Sequence, residues 1–360
     1  MKAIAFHLPQ FHPIPENNEW WGAGFTEWRN VAKARPLFPG HRQPNLPGDL
    51  GFYDLRLTET QIDQANLAAL AGLSGFCYYH YWYAGRLLLE KPLELLLARK
   101  TPKFPFCLCW ANHDWTAHWS GRHDMLVKQT YPGKEDYRAH YEYLRKFFED
   151  GRYIRVNQKP VFAIFKPNDI PQVNSFVDYF KTWALEDGFG GIHLIALDGD
   201  LRLLGSGFDA LAPHSLNIAL EGYLKHKRNR LKNMVRHRLF RYPRWVIEYS
   251  ELAPFFQNSL CDGITTIPTA IPNWDNTPRI GRRGVVLSSS SPEKFAEHLG
   301  TSITGFINNN TESEHILLIK SWNEWAEGNY LEPDLMYGKA WLETLNDFID
   351  KTNGSGANNG

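Results

Sequence analysis

Short apolar runs recur along this chain, separated by longer stretches with helical spacing of apolar positions. The runs cover residues 2–8, 73–81, 104–110, 160–165, 192–197, 208–212, 262–267 and 315–319. Each is near-continuously hydrophobic, the pattern of a strand buried on both faces. Between them the pattern predicts helices over 58–71, 87–98, 134–149, 172–186, 292–307 and 340–349, and a short one from about Asp200. Thr58 is placed to cap the first of these, with Gln61 as its capping-box partner. Residues 244–256 read as a helix or an extended arm.

Eight such strands alternating mostly with helices predict an α/β fold, a (β/α)8 TIM barrel. An open doubly wound sheet is the rival, but no strand is followed by Gly-x-Gly-x-x-Gly, and no repeat of intermediate length is present. The expected organisation is one catalytic domain over residues 1–351 and a disordered Gly/Asn/Ser tail over 352–360. Two departures from a plain barrel stand out. A long loop follows strand 1, over residues 9–57, and a basic insertion follows strand 6. The insertion opens at Lys225 and closes at Arg244 and holds nine Lys or Arg and no acid.

In such a barrel, chemistry gathers where the strands end at their carboxyl side. Polar and aromatic residues mix at those ends: His7, Gln10 and His12; Tyr78, His80 and Trp82; Trp110, Asn112 and Asp114; Lys166; Asp198; His214; Asn273, Trp274 and Asp275. The last strand runs into Ser321-Trp322-Asn323-Glu324-Trp325-Ala326-Glu327-Gly328, with Tyr330 beyond. Exposed indoles and buried carboxylates both cost free energy, so crowding them at one strand end suggests a sugar site. Stacking faces would bind the ring and carboxylates would move protons. Glu324 and Glu327 face one way only if the strand stops near Lys320 or Ser321 and a tight turn follows, which Gly328 permits. Burial against Trp322 or Trp325 would then keep one of them protonated near neutral pH.

Plainer readings exist for each. The two glutamates can be solvated loop carboxylates beside core tryptophans. His80 and His214 can be hydrogen-bonded core residues, Asp275 a turn cap, and Trp20, Trp21 and Trp28 anchors of the first loop rather than stacking subsites. His113 and Asp114 with His118 and His123 fit no zinc spacing, so no metal and no cofactor is expected. The basic insertion reads either as a solvated helix or as a contact for an anionic polysaccharide, a lipid-diphosphate carrier or a membrane surface.

Composition adds little beyond this. Of 360 residues 43% are hydrophobic and 22% charged, ordinary for a soluble globular chain, and the net charge of zero gives no reason to expect nucleic acid as a partner. Aromatics reach 14%, with 13 Trp, a weak pointer to carbohydrate stacking. No signal peptide or transmembrane run is visible, and Cys77, Cys107, Cys109 and Cys261 lie in or beside apolar runs without a Cys-x-x-Cys pair. These features predict reduced thiols and a cytoplasmic setting.

Several segments resemble the WbsX-type family, also called glycoside hydrolase family 99-like. They are Leu8-Pro9-Gln10-Phe11-His12-Pro13-Ile14-Pro15-Glu16-Asn17, Trp20-Trp21-Gly22, Gly24-Phe25-Thr26-Glu27-Trp28, Gly75-Phe76-Cys77-Tyr78-Tyr79-His80-Tyr81-Trp82, Cys109-Trp110-Ala111-Asn112, Trp274-Asp275-Asn276-Thr277-Pro278-Arg279 and Trp322 to Gly328. The resemblance spans nearly the whole chain. It implies a (β/α)8 barrel and a role with bacterial surface polysaccharides such as O-antigen or capsule. The related family 99 contains retaining endo-α-mannosidases. By that likeness Glu324 corresponds to the base that removes the sugar 2-hydroxyl proton, giving a 1,2-anhydro intermediate, and Glu327 to the general acid/base. Two positions depart: Ala326, where the mannosidases carry His, and His113, where WbsX-type relatives carry Glu.

The sequence thus supports a carbohydrate-active enzyme cleaving or transferring α-glycosidic bonds. Its alternatives are a glycosyltransferase of lipopolysaccharide O-antigen or capsule biosynthesis, and a non-catalytic glycan-binding barrel. In each case the expected partner is an oligo- or polysaccharide.

Overall fold

The apolar runs pair in parallel, each beside its neighbour in space. A computed structural model of the chain describes residues 1–117, 124–214, 216–256, 266–309 and 316–356. Strands β1 (Lys2–His7), β2 (Gly75–Tyr83), β3 (Phe106–Trp110), β4 (Lys159–Ile164), β5 (His193–Leu197), β6 (Ala210–Ala212), β7 (Thr269–Ala270) and β8 (Ile316–Ile319) form the sheet. Strand β1 lies between β8, with Lys2 opposite Ile316, and β2, with Ile4 opposite Gly75. The ladder continues through β3, β4 and β5 to β6 on one side and through β8 to β7 on the other. A parallel bridge between Leu211 and Thr266, with Ile267 N donating to Leu211 O at 2.7 Å, brings the two ends together. The result is a nearly closed (β/α)8 barrel, as the alternating pattern predicts.

Both faces of the strands are covered, so their side chains are buried almost without exception; all nine residues of β2 are buried. The long first loop carries α1 (Pro15–Trp21) and α2 (Glu27–Lys33). Helices α3 (Thr58–Leu70), α4 (Lys91–Arg99), α5 (Lys134–Phe148) and α6 (Val173–Glu186) are outer-layer helices. Helix α5 shows why. Tyr137, His140, Tyr141, Leu144, Phe147 and Phe148 form one buried stripe, with Glu135 and Asp136 in the first turn and Arg145 and Lys146 in the last. After β6 come α7 (Leu216–Leu224) and the basic helix α8 (Lys227–Phe240); α9 (Pro292–His298) and α10 (Ala340–Gly356) follow β7 and β8 respectively.

Several local expectations differ from the structure; the seventh strand, expected over 262–267, is found at Thr269–Ala270, past the Thr266 bridge. Leu57, not Thr58, is the N-cap of α3, and Gln61 donates to Leu55 O and Pro92 O instead of closing a capping box. Residues 86–88 form a strand paired antiparallel with the end of β2, so α4 starts only at Lys91, next to Pro92. Within 244–256, Trp245–Glu248 is a strand parallel to Val285–Ser288, outside the barrel. Helix α10 continues through position 352 to Gly356, and the Met1 ammonium donates to Asn353 Oδ1 at 2.7 Å. His118, His123, Cys261, residues 262–265, His315 and residues 357–360 lie outside the described residues.

Candidate active site

Strand β8 ends at Ile319, and the chain then folds back on itself. Asn323–Glu324 pairs antiparallel with Asn329–Tyr330 across a single 3-10 turn, Trp325–Glu327. Gly328 closes the turn at φ 53°. A Cβ there would lie 2.8 Å from both N and O of Asp275, because Asp275 N donates to Glu327 O at 2.7 Å. Ser321 Oγ donates to Asn329 O and accepts from Glu324 N, and Asn329 Nδ2 donates to Asn273 O and Lys320 O. Trp325 turns into the core, stacked on Tyr330 at 3.9 Å. The apolar members of the turn thus anchor it, and both glutamates line one cleft of about 470 Å³ at the carboxyl end of the barrel.

The two carboxylates sit in opposite electrostatic settings. Glu324 Oε1 accepts from Lys320 Nζ at 3.1 Å and from Tyr79 OH at 3.0 Å. Burial alone would raise the Glu324 carboxyl, but the Lys320 and Arg279 charges, with hydrogen bonds to Lys320 and Glu327, hold it below the usual glutamate range. Glu327 Oε1 accepts from Arg279 Nη1 at 2.6 Å, and Arg279 also binds Glu27 Oε2 at 3.1 Å. Burial pushes Glu327 up to about 7; Arg279 opposes this only in part, and the Glu324 charge adds to it. One glutamate is therefore ionised at neutral pH while its neighbour is poised to hold a proton. His214 Nε2, 2.9 Å from Tyr79 OH, is kept neutral by burial and by Lys320.

The cleft is also lined by Trp21, Trp115, Trp274, Tyr79 and Tyr81, by Gln10, Asn17, Glu27, His113, Asp114 and His214, and by Asn217, Asn276, Arg279 and Lys320. Of the side chains singled out from the sequence, Gln10, Trp21, His113, Asp114, His214, Trp274, Glu324 and Glu327 come together here. The others lie elsewhere. Along β2, Tyr78, His80 and Trp82 have the opposite parity to Tyr79 and Tyr81. Tyr78 packs on His7, His80 Nε2 meets His140 Nε2 at 2.9 Å, and Trp82 Nε1 donates to Asp136 while its ring stacks on His140. Trp110 joins the same layer, with its edge to His140. Asn112 bonds the backbone N and O of Lys166, tying β3 to β4, and the Lys166 amine is half-exposed beside Asp169.

His12 is buried against Pro9 O, and Trp28 donates to Tyr53 O under the first loop. Trp322 is fully buried against Phe76, so neither it nor Trp325 walls the cleft. Asn323 bridges Leu8 N and O and Tyr53 OH. Asp275 accepts from His41, Gln43 and Thr277 and, like Tyr330, borders a second cavity of about 390 Å³ behind Trp274. Tyr79, Tyr81, Lys320, Arg279 and Glu27 are lining residues the sequence reading did not single out. For Lys320 a signal existed: a lysine closing an apolar strand must find a partner when buried, and Glu324 follows four positions on. Among the described residues no group of three His, Cys, Asp or Glu is placed to hold a metal ion.

A (β/α)8 barrel with paired carboxylates in an aromatic cleft at its carboxyl end has the architecture of the glycoside-hydrolase barrels. Residues 3–345 match the glycosyltransferase WbsX family, and the chain belongs to that family. It is 38% identical over 353 residues to the protein WxcX of Xanthomonas campestris pv. campestris, in strains ATCC 33913 and B100 alike. That match covers 97% of this chain and 49% of the relative, so the chain spans about half the length of the curated relatives it matches. Among solved structures it is similar to a GH99 endo-alpha-mannosidase from Bacteroides thetaiotaomicron, with TM-score 0.58, 14% identity and 99% and 98% of the two chains covered. A glycoside hydrolase-like protein aligns with TM-score 0.60 and 14% identity over 96% and 93%. At that identity the likeness is one of fold.

Proposed function

We propose that the chain is a carbohydrate-active enzyme, glycoside hydrolase family 99-like in action, that cleaves or transfers α-glycosidic, mannoside-like bonds within a bacterial surface polysaccharide. It would be retaining and endo-acting. The observation that carries this is the contrast between Glu324, bound to Lys320 and Tyr79, and Glu327, bound to Arg279 and raised to about 7, on one cleft wall. Glu324 takes the proton of the sugar 2-hydroxyl. The freed oxygen attacks the anomeric carbon as the glycosidic bond breaks, and Glu327 gives its proton to the departing oxygen. The intermediate is a 1,2-anhydro sugar. In the second half, Glu327 takes a proton from the incoming water or sugar hydroxyl, which opens the anhydro ring at the anomeric carbon, and Glu324 returns its proton to O2. Trp21, Trp115 and Trp274 would supply the stacking faces.

Transfer to a sugar acceptor, as in O-antigen or capsule assembly, is the second reading, and the family's description as a glycosyltransferase favours it. Lys320 and Arg279, the Lys and Arg that line the cleft, are both engaged by glutamates, which favours glycan chemistry over grip on a nucleotide diphosphate. The basic helix α8 suits an anionic or lipid-linked glycan, and the buried free thiols Cys77, Cys107 and Cys109 suit a reducing, cytoplasmic setting. The test is separate replacement of Glu324 and Glu327 by Gln, assayed on α-mannan-type oligosaccharides with and without acceptor sugars by mass spectrometry. Loss of turnover with binding retained supports the reading. Unchanged turnover in both variants ends it, and binding without turnover in the unaltered chain leaves a lectin-like barrel.

A further inference from the structure

The second cavity, of about 390 Å³ behind Trp274, takes no part in the chemistry above. Its size falls within the roughly 300–1,000 Å³ of small-molecule sites. It shares the carboxyl end of the barrel with the cleft. Trp274 borders both, and the partition is thin. Glu327 lines the cleft, Gly328 lines the cavity, and Asp275 N donates to the carbonyl between them.

The cavity wall has its acceptors spent and donors to spare. Asp275 holds the donors of His41, Gln43 and Thr277. Asp334 accepts from Tyr330 OH at 2.8 Å and from the backbone N of Met336 and Tyr337. Glu248 accepts from Ser288 Oγ at 3.0 Å and lies 3.5 Å from Lys294 Nζ. Arg42 on the first loop and half-buried Arg236 on α8, by contrast, have no carboxylate partner among the described residues; Arg42 Nη1 donates to Tyr337 OH. The indole N–H groups of Trp274 and Trp341 are buried in the same wall and have no acceptor among the described residues either. Buried indole N–H groups normally have one. An occupant rich in acceptor oxygens matches such a wall, and the two arginines make a charged oxyanion the best match.

The rings say what carries the oxyanion. Tyr242 stacks on Phe38 with ring centroids 4.7 Å apart, Phe38 stacks on His41 at 4.5 Å, and the Arg42 guanidinium lies over Tyr337 at 5.8 Å. Flat faces of this kind suit a sugar ring. Ser289, in the same wall, is held at φ 58°, a conformation that costs a non-glycine residue free energy and recurs at ligand sites. An inorganic anion would answer the arginines and leave the rings unused. A neutral sugar would use the rings and leave two cations without a counter-charge. We propose that the second cavity binds a sugar unit carrying a carboxylate or a phosphate, with its oxyanion on Arg42 and Arg236. The site selects an acidic polysaccharide and holds one of its acidic units close to Glu327. This rests on the carbohydrate reading of the chain and not on the roles given to Glu324 and Glu327.

The test is titration of the wild-type chain, followed by ligand-observed NMR, with methyl glucuronide, mannose 6-phosphate, mannose and inorganic phosphate. The variants are R42Q/R236Q and the charge-keeping R42K/R236K; both side chains reach solvent, and circular dichroism checks the fold. The expected result is binding of at least one of the two acidic sugars, more tightly than mannose or phosphate and weakened by salt. Its Kd should rise about tenfold or more in R42Q/R236Q and less in R42K/R236K, while that of mannose stays the same. Binding of neither acidic sugar would overturn the proposal. So would an unchanged Kd in R42Q/R236Q, an equal loss for mannose, or inorganic phosphate binding as tightly as the acidic sugars. Turnover by the E324Q and E327Q variants tests the proposed function and the arginine dependence tests this site, so the two fail separately.

Discussion

Lys320 Nζ lies 3.1 Å from Glu324 Oε1, and both side chains are buried at the end of β8. The four-residue spacing is that of a helical pair, yet no helix joins them; the backbone folds back through Ser321 and Asn323 to bring the carboxylate to the amine. Removing one partner of such a pair leaves an uncompensated buried charge. Lys320→Met should therefore cost about 3–5 kcal/mol in urea unfolding at pH 7. It should also raise the Glu324 carboxyl, so the acidic limb of the turnover profile moves to higher pH. An unchanged acidic limb would mean that Lys320 does not hold Glu324 ionised.

The general-acid role given to Glu327 makes its own demand. Glu327→Gln should lower turnover of an unactivated glycan by about 10³-fold. A substrate with a good leaving group, such as a nitrophenyl glycoside, needs little protonation and should lose far less. The wild-type kcat/KM should fall as pH rises through about 7, where Glu327 loses its proton, and that limb should vanish in the variant. Equal losses on both substrates would remove the acid assignment.

Tyr79 and Tyr78 show how far the sequence is legible. The eight apolar runs, their order and the turn after β8 can be read from hydrophobic pattern and glycine placement. The direction of each side chain in β2 cannot. Strands of a closed parallel barrel are covered on the inside by one another and on the outside by helices, so Phe76 to Tyr83 show no polar and apolar alternation from which to take parity. Tyr78, His80 and Trp82 look as good a candidate set as Tyr79 and Tyr81. Arg279 was hidden for another reason: its partners Glu27 and Glu327 are 252 and 48 positions away, joined only by the fold. The parity is testable. Tyr79→Phe removes the hydroxyl shared by Glu324, His214 and Lys320 and should lower turnover about tenfold, whereas Tyr78→Phe, in the layer behind, should leave it unchanged.

Glu332 is a third buried carboxyl near the turn, and it has no role in the proposed chemistry. Trp325 Nε1, Tyr53 OH and Gln64 Nε2 donate to it at 2.5, 2.9 and 2.7 Å. Burial outweighs these donors and raises it to about 7 from an ordinary 4.5. A carboxyl raised on folding binds its proton more tightly in the folded chain, so its contribution to stability is complete below about pH 4.5 and is lost as pH rises through 7. Relative to Glu332→Gln, the wild type should lose about 3 kcal/mol of stability between pH 4.5 and 8. A difference that stays flat across that range, in urea unfolding at fixed salt, would place the ordinary carboxyl value at Glu332.

Arg279 is shared between Glu27 and Glu327, and that sharing gives two opposite shifts from neighbouring substitutions. Its guanidinium lowers the Glu327 carboxyl against the effect of burial, while Glu27 draws part of the same charge away. Arg279→Met removes the restraint, so Glu327 should keep its proton to higher pH and the alkaline limb of kcat/KM should move up by about one pH unit. Glu27→Gln releases Arg279 toward Glu327, and the same limb should move down. A merely structural role for the Arg279 bridge would weaken both variants and leave the limb near 7 in each. Opposite displacements, read from kcat/KM across pH on the same substrate, would tie the proton on Glu327 to the charge held between these two glutamates.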